Sequence, residues 1–177
     1  MRIFVGIPLP QVACESLKSV LHTFQSSQAG SAVRWSEPEG WHVTLAFPGQ
    51  VHEEQLVVLR ESLQRIACGP IPLTVEGVEV YARAGVLAAK IVPTEPLFLL
   101  QQRVAAAAEM CGFPIENRPF RPHVTLARSR FEGRLRALAE DFETIQARFV
   151  AGRFCLYESV RDSTGSRYVV KSEFLLQ

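Results

Sequence analysis

The 177 residues contain no long basic run, no Cys-x-x-C pair, no low-complexity tract and no apolar stretch that could span a bilayer. Each gap removes a class of function. Nineteen Lys and Arg against eighteen Asp and Glu leave a formal net charge of +1. That balance excludes proteins that grip a long duplex through many phosphates, while small or end-recognised nucleic acids remain open. The four cysteines, Cys14, Cys68, Cys111 and Cys155, lie far apart without zinc spacing. They read as free thiols in a reducing cytosol. The opening Met1-Arg2-Ile3-Phe4-Val5-Gly6-Ile7-Pro8 is too short for a secretory core and is broken by Pro8 and Pro10. Gln11-Val12-Ala13 ahead of Cys14 lacks the leucine of a lipoprotein signal. The expectation is a cytoplasmic monomer with no membrane partner.

What is present is ordinary in composition, 47% apolar and 21% charged. At this length it is a single domain over residues 1–177, built as two small lobes sharing a core. The tetrapeptide His-Val-Thr-Leu occurs twice, at His42–Leu45 and His123–Leu126, nearly half a chain length apart. Each copy sits in a short strand-like run. Side chains alternate along a strand, so His42 and Thr44 share one face while Val43 and Leu45 take the other. His123 and Thr125 obey the same parity. A core asks for the Val and Leu; it does not ask for His plus Thr opposite them twice.

Strand signals fall at Arg2 to Pro8, Ala32 to Trp35, His42 to Phe47, Leu73 to Tyr81, Val86 to Val92, His123 to Arg128, Ala147 to Ser159 and Arg167 to Leu175. Pro48-Gly49 is read as the end of the first motif strand. Helical stripes run from Pro10 to Gln25 (Ala13, Leu17, Val20, Leu21, Phe24), Glu53 to Ala67 (Leu56, Leu59, Leu63, Ile66) and Glu95 to Met110 (Leu97, Leu100, Val104, Ala107). A shorter helix is expected over Leu135 to Phe142, and a turn over Asp162 to Ser166. Few helices and frequent hairpins predict α+β with two largely antiparallel sheets. The halves are expected to be related by a pseudo-twofold axis, with the motif strands facing across a central cleft.

Same-face neighbours on a strand lie roughly 6.5–7 Å apart, so a Thr hydroxyl and a His nitrogen can both reach one phosphate. Two such strands place an imidazole on each side of it. A neutral ring can accept a proton from an attacking hydroxyl while a charged ring donates one to the leaving oxygen. The hydroxyls of Thr44 and Thr125 can stabilise charge on the non-bridging oxygens. This chemistry needs no metal, and neither motif contains a carboxylate that would join a metal site. His22 and His52 fall on or beside helices and read as solvated surface residues. Arg128, Arg121 and Arg118 are natural phosphate partners. Regular parity puts Arg128 on the wrong face, so it must reach the site through a bulge or a curl at the strand end. Phe120, Trp41, Tyr157 and Tyr168 are aromatic candidates for stacking on a base, with Phe120 foremost.

These features resemble the two-histidine phosphoesterases: the paired His-x-Thr motifs, Arg121-Pro122-His123-Val124-Thr125-Leu126-Ala127-Arg128, Val33-Arg34-Trp35, and the opening Arg2 to Pro10. More closely, the chain is similar to bacterial RNA 2′,3′-cyclic phosphodiesterases of the LigT type, also called 2′-5′ RNA ligases. The resemblance implies a bilobal α+β fold, no cofactor and no metal. It implies substrates that are RNA ends or nucleotides bearing a 2′,3′-cyclic phosphate, opened to a 2′-phosphomonoester, with 2′-5′ joining as the reverse reaction. By the resemblance, His42 matches the proton donor and His123 the proton acceptor; the sequence alone leaves the pair symmetric. Trp41, directly before the first His, departs from the smaller or aliphatic residue of many relatives.

Two other readings stay open. One is a non-catalytic module that holds an RNA end or nucleotide in the same cleft. The other is a phosphodiesterase of small cyclic nucleotides, 2′-5′ oligoadenylate or ADP-ribose cyclic phosphate.

Overall fold

The computed structural model describes residues 1–114, 118–141, 145–161 and 166–177. The loop residues 115–117, the expected helix end at Phe142 and the expected turn from Asp162 lie outside these. In chain order the elements are β1 (Arg2–Pro8), α1 (Gln11–Gln25), β2 (Arg34–Trp35), β3 (His42–Gln50), α2 (Glu53–Gln64), β4 (Ile71–Tyr81), β5 (Val86–Ile91) and α3 (Glu95–Met110). They continue as β6 (His123–Arg128), α4 (Glu132–Asp141), β7 (Gln146–Ala151), β8 (Arg153–Arg161) and β9 (Ser166–Leu175). No helix among the described residues is long and apolar enough to cross a membrane.

The expected α+β class, with strands pairing antiparallel, is what the structure shows. The two expected sheets, however, form one hydrogen-bonded path in the order β7-β4-β5-β6-β3-β1-β8-β9, with β2 added on β6. The junction is the motif strands themselves, which pair edge to edge at Val43↔Val124 instead of facing across a gap. Each supplies partners for backbone groups on the other's free edge, so neither ends as an unpaired strand.

Other boundaries shift for local reasons. β3 does not stop at Pro48-Gly49. Its ladder with β1 skips Pro48, which has no N–H, and resumes at Ile3↔Gly49, where Gly49 takes a φ of 83°. The single strand expected over Ala147 to Ser159 is two strands broken at Gly152. β7 pairs with β4 and β8 pairs with β1, in opposite halves of the sheet. One residue joins them, so the sheet must curl enough to bring the end of β7 to the start of β8.

The four helices pack on the face that carries Val43 and Val124. Ala13, Leu17 and Leu21 of α1, Leu59 and Leu63 of α2, and Leu97, Leu100, Val104 and Ala107 of α3 enter the same core as the motif valines. That core draws strand residues from both halves, including Ile3, Val5 and Ile7 of β1 and Leu87 and Ala89 of β5. The opposite face carries a separate small cluster, Phe4, Cys155 and Tyr157 with Tyr168 against it.

Candidate active site

The junction of the halves sets the geometry. Carrying the Val43↔Val124 register one residue each way puts His42 beside Thr125 and Thr44 beside His123. All four share the face opposite the valines. The two histidines are diagonal neighbours, for which sheet geometry gives about 7–8 Å. They are close enough that the charge of His123 acts on His42. Burial repeats as well: in each motif His and Thr are half-buried, Val, Leu and Ala are buried, and the residue after Ala is exposed. Neither Thr hydroxyl is engaged by another described residue.

Both rings are anchored identically. His42 Nδ1 lies 2.6 Å from the Gly40 carbonyl and His123 Nδ1 lies 2.7 Å from the Arg121 carbonyl, each two residues upstream. A carbonyl only accepts, so Nδ1 carries the proton in both rings and Nε2 is left for the site. Gly6 makes room for the first ring: a Cβ there would come within 2.9 Å of the Val43 carbonyl oxygen and 3.1 Å of His42 Cδ2.

The two environments differ. Loss of hydration is the main force on His42, and the charges of His123 and Arg128 add to it. Together they outweigh the Gly40 hydrogen bond and lower its pKa to about 4. The ligand-free ring is therefore neutral at neutral pH. Its neighbours are aromatic: Phe4 at 4.6 Å between centroids, Tyr168 edge-on at 5.0 Å and Tyr157 at 5.8 Å.

The second half is cationic. Lys90 of β5 pairs directly with His123, and Arg128 reaches the same face by the bulge that regular parity had required. Ala88 pairs with Thr125 and Leu87 with Ala127, leaving Leu126 without a partner on β5. The extra residue puts Leu126 and Ala127 both inward, each fully buried, and turns Arg128 outward on the His-Thr side. β3 carries the same bulge, since Gly6 pairs with Thr44 and Val5 with Ala46. There the position matching Arg128 is Phe47, 40% exposed, with the Arg2 guanidinium 5.0 Å from its ring centre.

The matched registers reveal a tyrosine on each side that the motif reading did not supply. Phe4 pairs with Tyr157 of β8, and its counterpart Val86 pairs with Tyr81 of β4. The Tyr81 ring lies 4.8 Å from His123. Burial pushes the Tyr81 hydroxyl up to about 12, helped by Glu79; burial likewise raises Tyr157, with Cys155 beside it. Phe4 and Gly6 were legible by parity alone, since Ile3, Val5 and Ile7 claim the core face. Tyr81 carried no local signal.

The remaining candidates are spread out. Arg121 is exposed and its charge acts on Tyr81, beside His123. Phe120 sits edge-on to Phe98 of α3, at 5.5 Å, against the main core. Trp41 is 4% exposed and belongs to the core, so it does not narrow the site. Tyr157 and Tyr168 are the stacking candidates brought to a histidine. His22 and His52 are exposed, and the backbone N–H of His52 is held by Gln55 at the start of α2. The four cysteines are free. Among the described residues no group of three or more His, Cys, Asp or Glu is arranged to hold a metal.

Comparison with known proteins follows the same line. The sequence model of the 2′-5′ RNA ligase superfamily matches residues 18–163. A Bacillus subtilis (strain 168) protein named RNA 2′,3′-cyclic phosphodiesterase is 28% identical over 166 residues, covering 88% of this chain and 86% of its own length. The Escherichia coli (strain K12) protein of the same name is 30% identical over 132 residues, 74% of this chain and 73% of that one. Among solved structures, a phosphoesterase superposes with a TM-score of 0.81 at 26% identity, covering 99% of this chain and 97% of that one. Escherichia coli LigT in its apo form gives 0.79 at 25% identity, covering 99% and 96%.

Proposed function

Because the chain belongs to the 2′-5′ RNA ligase superfamily, we propose that it is an RNA 2′,3′-cyclic phosphodiesterase, one two-lobed unit in which each lobe supplies one His-x-Thr strand. The observation that carries this reading is the direct pairing of the motif strands at Val43↔Val124. It brings two imidazoles and two hydroxyls that no described residue engages onto one face, within reach of a single phosphate.

The cyclic phosphate lies over this face with its non-bridging oxygens toward Thr44, Thr125 and the Arg128 guanidinium. His123 Nε2 takes a proton from water as the water oxygen bonds to phosphorus. The P–O3′ bond breaks, and His42 Nε2 gives its proton to the departing oxygen. The products are a 2′-phosphomonoester and a free 3′ hydroxyl; a proton passed through solvent resets the pair. With a 5′ hydroxyl attacking in place of water, the same steps form a 2′-5′ link: the P–O5′ bond forms, the P–O3′ bond breaks and the 3′ hydroxyl is freed. His42 is neutral without substrate, chiefly because its ring is desolvated, so its donor role needs the phosphate's negative charge to offset that burial and the nearby positive charges. The chemistry uses no metal, and RNA ends are the substrate class.

The test is turnover of a 2′,3′-cyclic nucleotide and of a short RNA ending in the cyclic phosphate, both in EDTA, with the product read by phosphorus NMR. Metal-independent formation of the 2′-phosphate supports the reading. No turnover across a broad pH range would leave a phosphate-holding module, and loss of turnover on chelation would bring back a metal mechanism.

A further inference from the structure

Two arginines stand directly opposite one another where β2 meets β6. Arg34 pairs with Arg128 and Trp35 with Ala127. Directly paired residues point to the same face of a sheet. Trp35 and Ala127 face the core, so Arg34 and Arg128 both face the site. Both are exposed, and neither forms an ion pair with a described residue. Like charges directly opposite one another destabilise a sheet, and β2 is only two residues long. Among the described residues no acidic group pairs with either guanidinium to compensate for that juxtaposition, whereas a polyanion would.

The position is informative. β2 and the start of β3 line the same edge of β6, joined by the Ser36 N–H to Leu126 carbonyl bond and the turn at Pro38–Gly40. Arg34 therefore stands level with Arg128, one strand across on the β3 side, and both lie past the His-Thr rows along β6. On the other side His42 is walled by Phe4, Tyr157 and Tyr168. A strand that ends between the histidines finds aromatic rings on one side and guanidinium groups on the other.

We infer that Arg34 is a second phosphate-binding residue, which with Arg128 forms a paired guanidinium clamp: Arg128 on the terminal cyclic phosphate, Arg34 on the phosphodiester that precedes it in the RNA chain. This rests on the phosphodiesterase reading and adds a specificity determinant to it. Arg34 selects a polynucleotide end over a mononucleotide, because a 2′,3′-cyclic mononucleotide has no preceding phosphate. One guanidinium on one phosphate favours the longer substrate by about tenfold.

Wild type, Arg34→Gln and Arg34→Lys are compared on a 2′,3′-cyclic mononucleotide and on a trinucleotide ending in the same group, over a series of salt concentrations. Arg34→Gln is expected to lower kcat/KM on the trinucleotide about tenfold, mainly through KM, and to leave the mononucleotide within about twofold. The slope of log kcat/KM against log salt on the trinucleotide should flatten by about 0.7, the increment for one phosphate on a single strand. Arg34→Lys should keep that slope. The retained mononucleotide rate reports an intact fold. Equal losses on both substrates, or none on the trinucleotide, overturn the clamp while leaving the phosphodiesterase reading in place. A wild type inert on both substrates overturns that reading, and the clamp with it.

Discussion

His42, the proposed proton donor, has a neutral ring in the ligand-free protein, and two consequences follow at the residue scale. The first concerns stability. The folded pKa near 4 lies below the unfolded value of about 6.5, so the unfolded chain binds the proton first as pH falls. Stability from this residue is present above about pH 6.5 and is lost between there and pH 4, on the order of 3 kcal/mol in all. Denaturant midpoints measured against pH should fall through that window in wild type and lose that part of the fall in His42→Gln. The second concerns roles. An analogue with sulfur at the bridging 3′ position leaves without needing a proton, so it should restore most of the rate to His42→Ala and little to His123→Ala. Rescue of the His123 variant instead would exchange acid and base. Thr44→Val and Thr125→Val should each lose roughly 10–10³ in kcat, as for one donor to developing charge.

At the scale of elements, the matched bulges carry most of the design. Regular alternation was enough to put His42 with Thr44, and His123 with Thr125, each pair on the polar face of its own strand, from the sequence alone. It could not place Arg128, because a bulge at Leu126 depends on a partner strand, β5, that the motif does not contain. Tyr81 was hidden for the same reason: it meets His123 only through β5 and β4, far away in the chain. Phe120 misled in the opposite way. Its loop leads into the second motif, but an apolar ring beside α3 finds Phe98 and the core. Gly6 shows how tightly β1 holds the first ring. Gly6→Ala should shift His42 and lower kcat/KM roughly 10–100-fold, more than any change in thermal midpoint explains. A variant with normal kinetics would show that the ring tolerates that contact.

For the whole molecule, the α+β class and the internal repeat were readable from periodicity and duplication. The joining of the two halves into one sheet was not, because a single backbone pairing has no sequence signature. That pairing is also what makes one site of two motifs. Acid and base serving a single step act as a unit, so their losses should not multiply. The most direct measurement is therefore kcat/KM on a 2′,3′-cyclic nucleotide, in EDTA, for wild type, His42→Ala, His123→Ala and the double variant. Each single substitution is expected to cost on the order of 10²–10⁴, with the double close to the worse single. A double variant whose loss is the product of the two, or a single variant near the wild-type rate, would contradict the shared phosphorus centre.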